Sequence, residues 1–185
     1  MRLLLISCAL LALLACQKPR QQPANEAAVE AEAGPIKGVD RSHKGKTAPD
    51  VTFNDPDGEQ TSLAEHSGKP VLLNLWATWC APCVKELPTL DRLSEAQKNI
   101  DVVAVSQDTA PRASVEAFLQ AHKIGDVAAY QDPKMAFSGA LGAEVLPTSI
   151  LYDAQGREVW RYVGDLDWTS PEAAKLLAEA GASTR

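Results

Sequence analysis

The chain has 185 residues, with 18 basic against 24 acidic side chains and a formal net charge of −6. That balance, with no basic stripe and no interleaved aromatics, excludes the electrostatic footprint of a nucleic-acid binder. The length allows one domain of ordinary size plus a shorter N-terminal region, and no internal repeat stands out. Four cysteines, Cys8, Cys16, Cys80 and Cys83, divide between that region and the domain.

At the N-terminus, Arg2 precedes the apolar stretch Leu3 to Ala15, the pattern of an export signal. It is shorter than the ~20 apolar residues a bilayer-spanning helix needs. It ends in Leu13-Leu14-Ala15-Cys16, which resembles the bacterial lipoprotein signal. The resemblance implies a signal peptide over 1–15, cleavage before Cys16, and lipid on its sulfur and new N-terminus. The protein is then expected in the cell envelope, periplasm-facing and anchored to a membrane. Gln17 after Cys16 points to the outer membrane by the sorting pattern of Gram-negative lipoproteins; ordinary signal cleavage is the other reading. With Cys8 removed and Cys16 blocked, Cys80 and Cys83 are left for thiol chemistry. Residues 16–46, rich in Gln, Pro, Ala, Glu, Gly and Lys, lack the large apolar side chains needed to offset chain entropy. They are expected to form a lipid-bearing flexible tether, roughly 30 Å end to end.

Residues 47–185 make up the expected domain. Val51–Phe53 reads as a short strand, Asp55-Pro56-Asp57-Gly58 as a turn, and Gln60–Leu63 as the returning strand. Val71–Trp76 reads as a central strand buried on both faces. A helix follows from Ala81 to Gln97, with Val84, Leu87, Leu90 and Leu93 on one side and Pro88 expected to kink it. Strand Asp101–Ser106, helix Pro111–His122, strand Val127–Tyr130 and helix Pro133–Leu141 come next. Ser149–Tyr152 and Glu158–Val163 form a hairpin, and Pro171–Ala180 closes the domain as a helix. Helices between strands imply an α/β fold with a central mixed sheet flanked by helices.

The chemistry concentrates in Trp79-Cys80-Ala81-Pro82-Cys83. A strand-to-helix turn puts Cys80 at a helix N-terminus, where free N–H groups and the helix dipole favour a thiolate. The thiolate is the species that attacks a disulfide sulfur. Cys80 is therefore the expected nucleophile and Cys83, one turn further in, the resolving thiol. Pro82 fixes the backbone of the turn, and Trp79 offers an apolar platform beside Cys80. Ala81-Pro82 carries no His or charge to stabilise the thiolate strongly, which argues for a reductase over a disulfide-forming oxidase.

The order of motifs resembles the thioredoxin fold. The carriers are the strand ending in Trp-Cys-x-x-Cys, Pro88 five residues after Cys83, Val145-Leu146-Pro147-Thr148 before the final hairpin, and Gly156 and Gly164 bounding its last strand. The departures from plain thioredoxin are similar to the TlpA/ResA/CcmG group of membrane-tethered envelope thioredoxins. They are an inserted strand and helix over about 127–141, Asn74 where thioredoxin has a buried Asp, and Glu86 three residues after Cys83; the expected fold also carries an N-terminal hairpin. The resemblance implies a redox-active disulfide, Cys80–Cys83, and Glu86 as an acid/base serving Cys83. It also implies support from Asn74 and a cis bond before Pro147, with Leu146 and Thr148 meeting an extended substrate segment as in strand addition.

By the same resemblance the substrates are disulfides of envelope proteins: haem-binding cysteines in cytochrome c maturation, or cysteines of copper chaperones and oxidase copper sites. A CcdA/DsbD-like membrane thiol carrier is the implied electron donor, and no nicotinamide, flavin or resident metal is expected. Other uses of the dithiol are Cu(I) binding in copper delivery, disulfide formation as an oxidase, or a docking module that keeps the fold without the chemistry. Structural zinc needs further ligands, and His43, His66 and His122 form no pair at zinc spacing. The Pro-x-x-x-Thr-x-x-Cys pattern of peroxidases sharing this fold is absent.

Overall fold

Continuous apolar runs fix the centre of the molecule. In the computed structural model, which describes residues 38–182, these runs assemble into one eight-stranded mixed sheet. The strands are β1 (Gly38–Asp40), β2 (Thr52–Asn54), β3 (Gln60–Ser62), β4 (Val71–Trp76), β5 (Asp101–Ser106), β6 (Tyr130–Gln131), β7 (Thr148–Tyr152) and β8 (Glu158–Val163). Their order is β1-β8-β7-β4-β5-β6-β2-β3. Strands β4, β5 and β6 run parallel, and β7 lies antiparallel between β4 and β8. The carboxyl ends of β4–β6 and the start of β7 therefore share one edge of the sheet.

Period-two alternation sorts the side chains of β4 between two cores. Leu72 and Trp76 pack on one face with α1 (Ala81–Ala96), α2 (Arg112–Ala121) and α4 (Pro171–Ala182). Val71, Leu73 and Leu75 pack on the other with Phe53, Leu63 and Phe137 of α3 (Ala136–Leu141). Leu87, Leu90 and Leu93 form the buried stripe of α1, each contributing about 1.5–3 kcal/mol by burial. Pro88 lies inside that helix.

Three expectations change. The tether was expected to run through residue 46, yet Gly38–Asp40 pairs with Val163, Tyr162 and Arg161 as the edge strand β1. The contact continues through Gly45 N–H to Glu158 O at 2.7 Å and Ala48 N–H to Gly156 O at 2.8 Å. Backbone bonding to the open edge of β8 orders this segment, in which Val39 alone carries a sizeable apolar side chain into the core. Strand Val127–Tyr130 shrinks to Tyr130–Gln131, because the Asp91 carboxylate accepts the N–H groups of Gly125, Asp126 and Val127 and holds them as a loop. Helix Pro133–Leu141 starts later, at Ala136. Met135 takes a left-handed φ of 50°, and Asp132 accepts the Phe137 N–H at 2.8 Å. The expected signal peptide, the Cys16 lipid site and the tether up to residue 37 lie outside the described residues.

Candidate active site

The strand β4 runs out at Trp76, and the chain crosses the sheet edge through Ala77-Thr78-Trp79 before entering α1. A buried carboxylate fixes this crossing. Asp108, just past β5, accepts both the Thr78 N–H, at 2.9 Å, and the Thr78 hydroxyl, at 2.7 Å. The Ser106 hydroxyl donates to the same carboxylate at 2.7 Å. Cys80 then caps α1 in extended conformation, with φ −90° and ψ 99°, and its Sγ accepts the Cys83 N–H at 3.3 Å. Pro82 sits in the first turn, where a missing N–H costs nothing.

Cys80 and Cys83 are joined in a disulfide with Cα atoms 5.2 Å apart. Cys80 is 6% exposed and Cys83 fully buried. A substrate arriving from solvent therefore meets Cys80, at the helix N-terminus, before Cys83. Trp79 beside it is 67% exposed, an unusual placement for so large an apolar group.

Leu146–Pro147 is a cis peptide at the start of β7, on the same sheet edge. Leu146 is half-buried against both cores. Thr148 is 2% exposed, and its hydroxyl donates to Val145 O at 2.7 Å, so its side chain braces the loop from within.

One turn beyond Cys83, Glu86 faces the sheet and is only 3% exposed. Asn74 Nδ2 donates to its Oε1 at 2.7 Å and to Ser149 Oγ at 2.9 Å. Leu166 N–H donates to its Oε2 at 3.0 Å. Burial pushes the carboxyl up to about 7, and the Asp165 charge adds to the rise. The Leu166 N–H, Asn74 and the Trp168 indole oppose it; the indole N–H acts without a hydrogen bond of full geometry. A carboxyl so placed exchanges protons near neutrality, the range in which a general acid/base works best. Asn74 Oδ1 is buried with no hydrogen-bond partner among the described residues.

The structure thus brings Asn74, Trp79, Cys80, Pro82, Cys83, Glu86, Leu146 and Pro147 to one end of the sheet. Sequence reasoning missed the Asp108 brace and the Leu166 and Trp168 contributions. Asp108 lies 30 residues from Thr78, and Leu166 lies 80 from Glu86. No local spacing reports such pairs. The polar Ser106-Gln107-Asp108 run closing an apolar strand was the available signal.

A disulfide at a strand-to-helix turn, with a cis-proline loop on the same edge of a mixed sheet, defines a thioredoxin-fold dithiol–disulfide exchanger. The family model described as Redoxin matches residues 43–177, and the chain belongs to that family. The thiol-disulfide oxidoreductase ResA of Bacillus anthracis is 33% identical over 123 residues, 65% of this chain and 70% of that protein. A Chlorobium tepidum structure assigned as thiol:disulfide interchange protein DsbE superposes with a TM-score of 0.63 at 27% identity, covering 76% of this chain and 96% of that one. StoA of Bacillus subtilis, at 24% identity and TM-score 0.58, covers 74% of this chain and 99% of its own and shares the fold. The protein is a thiol–disulfide oxidoreductase of ResA/DsbE-like kind.

Proposed function

We propose that this oxidoreductase works in the reducing direction on disulfides of cell-envelope proteins, held near the membrane by lipid on Cys16. One observation carries the direction. The helix turn around Cys80 presents Ala81 and Pro82 and no cation, while a proton-exchanging carboxyl, Glu86, lies one turn past Cys83. A strong oxidant owes its potential to an over-stabilised thiolate in the reduced form, and this turn supplies the helix terminus alone.

In the reduced enzyme the Cys80 thiolate attacks one sulfur of a substrate disulfide and releases the other as a thiolate. The mixed disulfide is then attacked by the Cys83 thiolate at Cys80 Sγ, which frees the second substrate thiolate and re-forms Cys80–Cys83. Two electrons pass to the substrate. Glu86 accepts the Cys83 proton as that thiol becomes a nucleophile and returns it when the pair is next reduced. Reset requires a dithiol donor, and a CcdA/DsbD-like membrane carrier fits that need. Apocytochrome c cysteines, or those of copper chaperones and copper sites, are the proposed substrates, offered on the resemblance to the TlpA/ResA/CcmG group. Trp79, next to Cys80 in the chain, and Leu146, before the cis-proline, are the proposed contacts for the substrate segment.

The test is trapping. Cys80→Ser should abolish insulin or substrate reduction. Cys83→Ser should accumulate mixed disulfides through Cys80, identifiable by mass spectrometry of envelope extracts as proteins bearing cysteine pairs. Adducts formed by the Cys80→Ser variant alone would reverse the two roles.

A further inference from the structure

After β8 the chain does not leave the active-site end directly. Gly164, at a left-handed φ of 99° that favours glycine, turns it, and the Gly164 N–H is held by Pro147 O at 2.9 Å. Residues 164–168 then cross α1 without forming a helix or strand of their own. Three contacts fasten them there. Lys85 Nζ meets Asp165 Oδ2 at 2.9 Å, Leu166 N–H reaches Glu86 Oε2 at 3.0 Å, and Trp168 N–H donates to Thr89 Oγ1 at 3.1 Å. Thr89 in turn donates to Glu86 O at 2.8 Å, which orients its hydroxyl to accept from Trp168. The Leu166 and Trp168 side chains are both buried in the α1-facing core.

We propose that Gly164–Trp168 is a strap, pinned on α1 by Thr89 and Lys85, which governs water access to the Glu86 carboxyl and with it the pH at which that group exchanges its proton. Thr89 and Lys85 are positioning residues. The role given to Glu86 in reduction rests on the function proposed above; the strap itself rests on the three contacts.

The groups around the carboxyl fix the sign. From the strap, Asp165 presents a negative charge that Lys85 answers from α1. β4 and β7 present the neutral Asn74 and, through it, Ser149. Cys80 and Cys83 carry no charge while oxidised. Thr89→Val keeps the side-chain shape and alters no charge, but removes the acceptor of the Trp168 N–H. Loosening the strap hydrates Glu86 and relieves the burial that dominates its state, which outweighs the weakened Leu166 bond.

The experiment is residue-resolved NMR on the oxidised protein, with the Glu86 side-chain carboxyl assigned by its loss in Glu86→Gln. In Thr89→Val the Glu86 midpoint should fall from about 7 by roughly half a unit or more. Amide exchange at Leu166 should rise about fivefold, the scale of one lost hydrogen bond. Thr89→Ser, which keeps the hydroxyl, should restore both. An unchanged midpoint with unchanged Leu166 exchange overturns the strap. Lys85 is 78% exposed, so Lys85→Gln cannot fail by unfolding the core; it should also speed Leu166 exchange, and no change there contradicts the pin. If the Thr89→Val midpoint moves while the pH profile of substrate reduction stays put, the strap stands and the acid/base role of Glu86 falls.

Discussion

Glu86 is a residue whose chemistry the fold has changed strongly. An ordinary Glu on a helix face is ionised and solvated at pH 7, whereas this one is enclosed by Asn74, Leu166 and Trp168 and held up to about 7. The cost of enclosing it depends on pH with a definite sign. Between the unfolded value near 4.5 and the folded value near 7, the native state binds more protons, so stability falls as pH rises through that window. The full loss by pH 8 is on the order of 3 kcal/mol. Glu86→Gln should therefore be more stable than the parent at pH 8, with the gap closing toward pH 4, as followed by urea midpoints across pH. The same variant should flatten the pH dependence of reduction near neutrality. An unchanged stability gap across that range would mean that the carboxyl is solvated. Asp108 is the complementary case: a buried carboxylate with two donors from Thr78 and one from Ser106, bracing the crossing before Cys80.

Among the elements, legibility followed locality. β4, α1, β5 and the β7–β8 hairpin were readable because an apolar run, a helical stripe and a turn each declare themselves within a few residues. Cys80 and Cys83 were readable for the same reason. Glu86 was readable as a position, but the Leu166 and Trp168 groups that help close over it were not, since they come from a segment about 80 residues away. β1 was illegible because Gly38-Val39-Asp40 has almost no apolar content of its own; the open edge of β8 makes it a strand. Tyr130–Gln131 was misplaced by the Asp91 brace, 35 residues away in the chain, and α3 by the left-handed turn at Met135. A fragment starting at Gly45 removes β1 and the Arg41–Glu179 ion pair at 2.5 Å, whereas one starting at Lys37 keeps both. The shorter fragment should unfold at lower urea, by roughly 1–3 kcal/mol for an unpaired edge and lost hydrogen bonds. Equal midpoints would show that β1 adds nothing to the sheet.

Across the whole molecule, one sheet edge collects the working parts. Parallel β4 delivers Cys80 and β5 delivers Asp108, while antiparallel β7 returns the Leu146–Pro147 loop to the same end and β8 sends the 164–168 segment back over α1. The sheet therefore links the cis-proline loop, the disulfide and the buried carboxyl. The direction of electron flow depends on the whole assembly, because the potential reflects the turn, the helix terminus and the carboxyl together. The measurement that tests it is the reduction potential of the Cys80–Cys83 pair at pH 7, by equilibration with a thiol buffer, on a fragment starting at Lys37. The account predicts a value near or below that of thioredoxin, about −270 mV. A value near −120 mV, that of the strong oxidant DsbA, would contradict it and make this protein a disulfide-forming oxidase.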